Sequence, residues 1–452
     1  MQASSFMRRI GALTLACMLF LLCLWTLREV GVSGFEDIAP RRMLKSIALY
    51  WIIGCSIIGL VKAWGQHRVP LLVLAVSLLV SLLLLEGAVR ILQLPGGFLK
   101  WKGVPSRELH HTNAPSRKIY AGAYEGADVF VETNSDGLRT RREREEFKTF
   151  GTRIAVIGDS FAFGFGVQAE DALPHQLEKL LRRTRGTEDL AVLNAGVVSS
   201  SPLLGKLLFE RVVSDYDPQA VVLILDATDI GDDYKYEREG ALEDGRFVFP
   251  LKGPECGESG RLTYYGAVAE ILSRRGRRLS DLLLTPIRPL GPHLGISFEN
   301  DCGYSYYDFN FQVGDQTESS RFFHDRHPLS LTRSYFDTSL AHVKEMADDV
   351  RASGADFLLV ISPRYQHWNP EESPENWETE EYASDPTYHF EYFRYFEESR
   401  EEVDFPILNL LDAFQATDEF PLVFREDPHW NAAGNSFAAR VIASRLNEEG
   451  LP

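Results

Sequence analysis

Apolar residues follow two patterns along this chain. Before about residue 95 they form long blocks, at 10–27, 46–64 and 69–93, the second reaching past Lys62 and the third running on through Glu86 and Arg90, each close to the roughly 20 residues that cross a bilayer. From Arg153 they come as short runs separated by segments with helical spacing. "RIAVIG" is a β-branched strand pattern, "DALPHQLEKLLRRTR" is amphipathic at helical spacing, and "LAVLNAG" is a second strand. "LLGKLLFERVVSD" predicts another helix and "AVVLILDAT" a third strand, so the series calls for a parallel sheet with right-handed crossovers. The alternation lapses over 231–335, with one helix expected at Tyr264–Arg274. It resumes with a helix near Asp337–Ala352 and the strand "DFLLVI". A second insertion, 363–404, precedes the short strand and turn in "FPILNLLDAF" and a closing helix, "NAAGNSFAARVIASRLNEE".

Three regions follow: a membrane anchor of three transmembrane helices over 1–95, a juxtamembrane arm over 96–150, and one α/β domain over 151–452 interrupted by the two insertions. The first span, preceded by Arg8 and Arg9, also fits a signal peptide, but no small-residue cleavage site follows it. In the arm, "DVFVETNSDGLRT" reads as a short strand and a turn.

Charge sharpens this division. The formal net charge is -17, yet residues 1–100 hold ten Lys/Arg against four Asp/Glu. The acidic remainder argues against polyanion binding, and no nucleic-acid motif, phosphate loop or Cys/His metal spacing occurs. Lys and Arg flank the spans on both sides, so charge alone does not orient them. Cys17, Cys23 and Cys55 lie inside the spans, leaving Cys256 and Cys302 for the rest. A disulfide between those two would place the domain outside the cytoplasm; two free thiols are the other reading.

Candidate chemistry gathers at strand ends, where open parallel sheets bind ligands. Ser160 in "GDSFAFG" follows the first strand, with Gly164 and Gly166 to turn the chain; Gly-Asp-Ser is also an ordinary turn or helix cap. His429 in "DPHWNAAG" precedes the last helix and suits a general base for Ser160. Asp427 suits the orienting carboxylate, while the same stretch also reads as a helix start capped by Asn431. Asp159 reads as a brace for the turn. His367, Trp368 and Trp377 read either as an acceptor groove or as packing of a long loop. The basic cluster at 273–278 reads as a lipid contact or a helix cap.

Together, "GDSFAFG" and "DPHWNAAG" in this order resemble the GDSL or SGNH hydrolase family over the sheet-forming parts of 150–448. The resemblance implies a flavodoxin-like three-layer fold with a Ser160, His429 and Asp427 triad. It also implies an oxyanion hole from the Ser160 N–H, Gly196 after the second strand, and the residue after the third strand. That residue is Thr228, where the family carries asparagine. The family's commoner D-x-x-H spacing would place Glu426 in the triad; the D-x-H spacing of alginate-type O-acetyltransferases points to Asp427. The implied activity is a membrane-anchored serine esterase without cofactor, acting outside the cytoplasm on an acylated envelope glycan or lipid. The alternatives are an O-acyltransferase, served by a membrane acyl-donor protein, and a non-catalytic envelope assembly or glycan-binding protein that kept the fold.

Overall fold

The computed structural model describes residues 103–250, 310–369, 371–374 and 387–452, all within one compact unit of 100–257 and 304–452. The three apolar spans, the Tyr264–Arg274 helix, the 273–278 cluster, Cys256, Cys302 and Trp377 lie outside the described residues. Among those described, no helix is long and apolar enough to cross a membrane.

After a short antiparallel pair at Val104–Ser106 and His110–Thr112 come the hairpin strands β1 (Lys118–Tyr124) and β2 (Ala127–Glu132), antiparallel to each other. There follow β3 (Thr152–Gly158), α1 (Ser160–Phe163), α2 (Leu173–Arg185), β4 (Leu190–Gly196), α3 (Pro202–Arg211), β5 (Ala220–Leu225) and α4 (Asp229–Glu239). After the first insertion come α5 (Leu329–Ala352), β6 (Asp356–Ile361), α6 (Glu391–Glu398), β7 (Ile407–Asn409), α7 (Leu411–Ala416) and α8 (Ala432–Glu448).

Five strands form one parallel sheet in the order β7-β6-β5-β3-β4. This is the flavodoxin-like winding, whose direction reverses between β3 and β5. Both faces are covered, which explains why the central strands read as unbroken apolar runs. Ala155, Ile157, Val221 and Leu223 face the layer of α3, α5 and α6. Ile154, Val156, Val222 and Ile224 face α2, α7 and α8. Each buried Val, Leu or Ile among them contributes about 1.5–3 kcal/mol.

Three local outcomes differ from the sequence pattern. Helix α5 begins at Leu329, not near Asp337; in the added turns Thr332 lies buried on the inner face and interrupts the apolar period. The turn after β7 is the helix α7, whose Phe414 stacks on Trp430 at 5.4 Å. The stretch over 96–150 packs into the domain where it is described. Val129, Val131, Leu138 and Phe147 are buried, and Arg142 pairs with Glu178 of α2 at 2.5 Å.

Candidate active site

At the winding reversal, β3 ends and α1 begins. Asp159 caps α1, its carboxylate accepting the Phe161 N–H at 2.9 Å, which sets Ser160 at the first helical position. The helix lasts one turn because Gly164 is left-handed (φ 79°). Strand β4 can lie alongside because Gly196 has no side chain; a Cβ there would sit 2.2 Å from the Phe163 nitrogen.

Opposite, the loop before α8 carries Asp427 and His429. Asn431 accepts the Gly434 N–H at 3.0 Å and donates to the Pro421 and Val423 carbonyls, so it caps the helix and pins the loop at once. The second insertion braces the same loop: Ser373 donates to the Phe424 carbonyl at 2.6 Å, and Glu372 accepts the Leu422 N–H at 2.9 Å.

These supports bring three predicted residues into line. His429 Nε2 lies 2.8 Å from Ser160 Oγ, and its Nδ1 lies 2.5 Å from Asp427 Oδ1. The carboxylate fixes the tautomer, with Nδ1 protonated and Nε2 open to accept the serine proton. Phe161 and Phe165 flank the imidazole at 5.3 and 4.5 Å between ring centroids. Asp427 and His429 keep 15 % and 12 % of their side-chain surface, so the line opens to solvent at one end. Glu426 is exposed, and it is Asp427 that meets the ring.

The other two sequence candidates are held differently. The Gly196 N–H donates to Asn194 Oδ1 at 3.1 Å. The Thr228 hydroxyl donates to Asp226 Oδ2 at 2.6 Å, and its backbone N–H to the same oxygen at 3.0 Å. In this state the threonine hydrogen is therefore aimed at a carboxylate, not at the space beside Ser160.

Asp226 also reveals what sequence reasoning missed. Arg364, after β6, forks onto it at 3.0 and 2.7 Å with both side chains buried, and stacks its guanidinium over Phe161 at 5.2 Å. Asp159 and Asp229 bring their carboxylates within 4.8 Å of Asp226, so three buried acids share this cation. Burial would raise Asp226, but the Arg364 charge and hydrogen bonds outweigh it and hold the acid well below the usual range. Burial and Asp226 push Asp159 up to about 6. Burial, Asp159 and Asp226 push Asp229 well above the usual range. Because Arg364 already takes both oxygens of Asp226, this cluster suits shared protons better than a metal ion. Asp159 Oδ2 also lies 3.1 Å from Ser160 Oγ, so its ionised form competes with His429 for the serine hydrogen.

The hairpin of β1 and β2 completes the wall. Tyr124 packs on Phe165 and Phe424, each at 5.5 Å. Arg139, fully inside, donates to the carbonyls of Phe163, Gly164 and Val167 at 2.6–2.7 Å. Of the insertion candidates, His367 is buried, and Trp368 packs on Phe414 at 4.7 Å while donating to Glu372 at 3.0 Å.

Residues 323–452 match the SGNH hydrolase-like domain of the acetyltransferase AlgX. The match supports a place in the SGNH/GDSL family, and the parallel sheet with its covering helices fits the SGNH α/β fold. The matched stretch holds β6, β7, Asp427 and His429; Ser160 and β3 to β5 precede it. No curated protein matches the chain. Similar solved structures include a lipolytic protein of the G-D-S-L family from Desulfitobacterium hafniense, 13% identical, TM-score 0.32, covering 64% of this chain and 99% of its own. A lipase/acylhydrolase from Enterococcus faecalis is 11% identical, TM-score 0.34, covering 66% and 96%. A catalytic mutant of an acetylxylan esterase from Geobacillus stearothermophilus is 13% identical, TM-score 0.32, covering 67% and 96%. At such distances an SGNH-type reading rests on this chain's own side chains.

Proposed function

We propose that the protein is an SGNH-type serine enzyme acting on acyl esters, with hydrolysis as the primary activity. The observation that carries the reading is the continuous line from Asp427 through His429 to Ser160, at 2.5 and 2.8 Å. Ser160 Oγ attacks the ester carbonyl carbon while His429 Nε2 takes its proton. The tetrahedral intermediate collapses, the leaving alkoxide receives that proton, and the acyl group stays on Ser160. Water, deprotonated by His429, then releases the acid.

The developing oxyanion needs donors. The Ser160 N–H opens α1, and Gly196 can exchange partners, since a neutral hydrogen bond such as that to Asn194 is worth about 1 kcal/mol and an oxyanion-hole donor about 3. Thr228 is the weaker member, because leaving the ionised Asp226 forfeits a charge-assisted bond of about 1.5–3 kcal/mol.

A second reading replaces water with a sugar hydroxyl, making the protein an O-acyltransferase; the AlgX-type match over 323–452 favours it. For hydrolysis the substrate is an acylated envelope glycan or lipid; for transfer an envelope polysaccharide is the acceptor. The apolar blocks before residue 95 would hold the domain at a membrane, on its outer side, and transfer would need a membrane acyl donor. One experiment tests the chemistry: compare the purified chain with Ser160→Ala on an activated acetyl ester, with and without a glycan acceptor. Equal slow hydrolysis by both proteins refutes the serine mechanism and leaves a non-catalytic binding role. Acyl gain by the glycan, dependent on Ser160, selects transfer.

A further inference from the structure

A second cluster of imidazole and carboxylate lies apart from the serine line. Asp325 stands in the turn before α5, His367 in the turn after β6, and His389 just ahead of α6. One ligand atom from each meets the other two within 4.8 Å, and His367 Nε2 is 3.9 Å from Asp325 Oδ2. Asp325 Oδ2, His367 Nε2 and His389 Nδ1 are each shut from solvent and have no hydrogen-bond partner. Three such atoms at one point are costly: a buried polar group left unpaired forfeits about 1–3 kcal/mol.

The remaining atoms of these side chains are held by backbone groups. His367 Nδ1 accepts the Arg364 backbone N–H at 3.0 Å and also lies 3.1 Å from the Arg364 carbonyl, and His389 Nε2 lies 3.0 Å from the Gln366 carbonyl. The Gln366 carbonyl accepts only, so His389 spends its N–H there and leaves Nδ1 bare; His367 meets a donor and an acceptor on Arg364, and the tautomer that donates to the carbonyl is the one that frees Nε2 for an ion. Asp325 Oδ1 is held by His324 Nδ1 at 2.8 Å, which fixes the carboxylate while Oδ2 points into the cluster. This is the arrangement of metal-ligating histidines, whose second nitrogen is oriented by a backbone carbonyl.

We infer that Asp325, His367 and His389 form a binding site for a divalent cation of the zinc class. Two imidazole nitrogens and one carboxylate oxygen are a borderline donor set, suited to Zn²⁺ and its first-row neighbours and poor for Mg²⁺ or Ca²⁺. Ligands about 2.0–2.1 Å from a tetrahedral ion stand about 3.3 Å apart, so the 3.9 Å pair closes with a shift of a few tenths of an ångström on each side. The ion would tie together three segments distant in sequence and fix the turn that presents Arg364 to Asp226. Its role is structural.

The test uses the purified full chain, stripped with a chelator and then dialysed against Zn²⁺ or Co²⁺. Expected are a single tightly held equivalent by mass spectrometry, a Co²⁺ visible spectrum of low-coordinate nitrogen and oxygen ligation, and a melting temperature raised by Zn²⁺. His389→Ala, at the least buried of the three positions, should weaken binding about 100-fold or more and abolish the Zn²⁺-dependent rise. His367→Ala should do the same. The inference is overturned if uptake stays substoichiometric, or if it survives both substitutions. It is equally overturned if His367→Ala lowers the melting temperature while the parent ignores Zn²⁺, which would mean a direct ring-to-carboxylate bond.

Discussion

Two histidine–aspartate clusters sit on the same domain and are built in opposite ways. In the serine line both nitrogens of His429 have side-chain partners, Ser160 and Asp427, and the group opens to solvent. In the cluster of Asp325, His367 and His389 the rings are held by backbone groups, His389 at the Gln366 carbonyl and His367 between the N–H and the carbonyl of Arg364, and each turns its other nitrogen toward the cluster, away from water. Identical residue types thus prepare two chemistries. A ring held between a hydroxyl and a carboxylate relays protons, whereas one fixed by a carbonyl holds a lone pair in place. Arg364 stands between the two, its side chain on Asp226 and its carbonyl on His367.

The comparison breaks most sharply at His429. His429→Ala should cut ester turnover by about 10⁴-fold or more while leaving Zn²⁺ uptake intact, measured by initial rates and metal content. Asp427→Asn, which keeps the shape but loses control of the tautomer, should lower kcat by about 10³–10⁴-fold. Arg364→Met would strand Asp226 in a closed interior and cost about 3–5 kcal/mol, read from denaturant unfolding.

A smaller effect concerns Asp159. Its carboxyl titrates near 6 in the folded chain, above its unfolded value, so the stabilising neutral form is complete at low pH and is lost as pH rises through about 6. The parent should therefore be on the order of 2–3 kcal/mol less stable at neutral pH than at acid pH through this group, with Asp159→Asn flattening the profile. At the bottom of the scale, Glu426→Gln should change turnover by less than about 2-fold, since the side chain is exposed and the ring faces Asp427. A large loss there would reassign the orienting carboxylate.

Ser160 and His429 were legible because each falls in a short motif at the end of a strand or the start of a helix, and a parallel sheet brings such ends together. The sheet itself was legible because both faces are buried and the strands read as apolar runs. Thr228 was found at its strand end, but the direction of its hydroxyl depends on Asp226, and the charge of Asp226 depends on Arg364, 138 residues away. The metal-type cluster has no sequence spacing at all, since its ligands come from three separate turns. The start of helix α5 is hidden in the sequence because a hydroxyl buried on an inner face resembles a surface residue until its neighbours are known.

Arg139 carries one last consequence, for anyone who would transplant this domain. It lies upstream of β3, yet its guanidinium gathers three carbonyls of the loop that presents Phe165 to His429. A recombinant fragment started at residue 151 would leave those carbonyls bare, at about 1–3 kcal/mol apiece, and let the aromatic shelf of the imidazole drift. The smallest portable piece therefore begins before Arg139, and before the hairpin of β1 and β2 if Tyr124 is to stay on Phe165 and Phe424. What reads along the chain as a tether is, in three dimensions, part of the machine's frame.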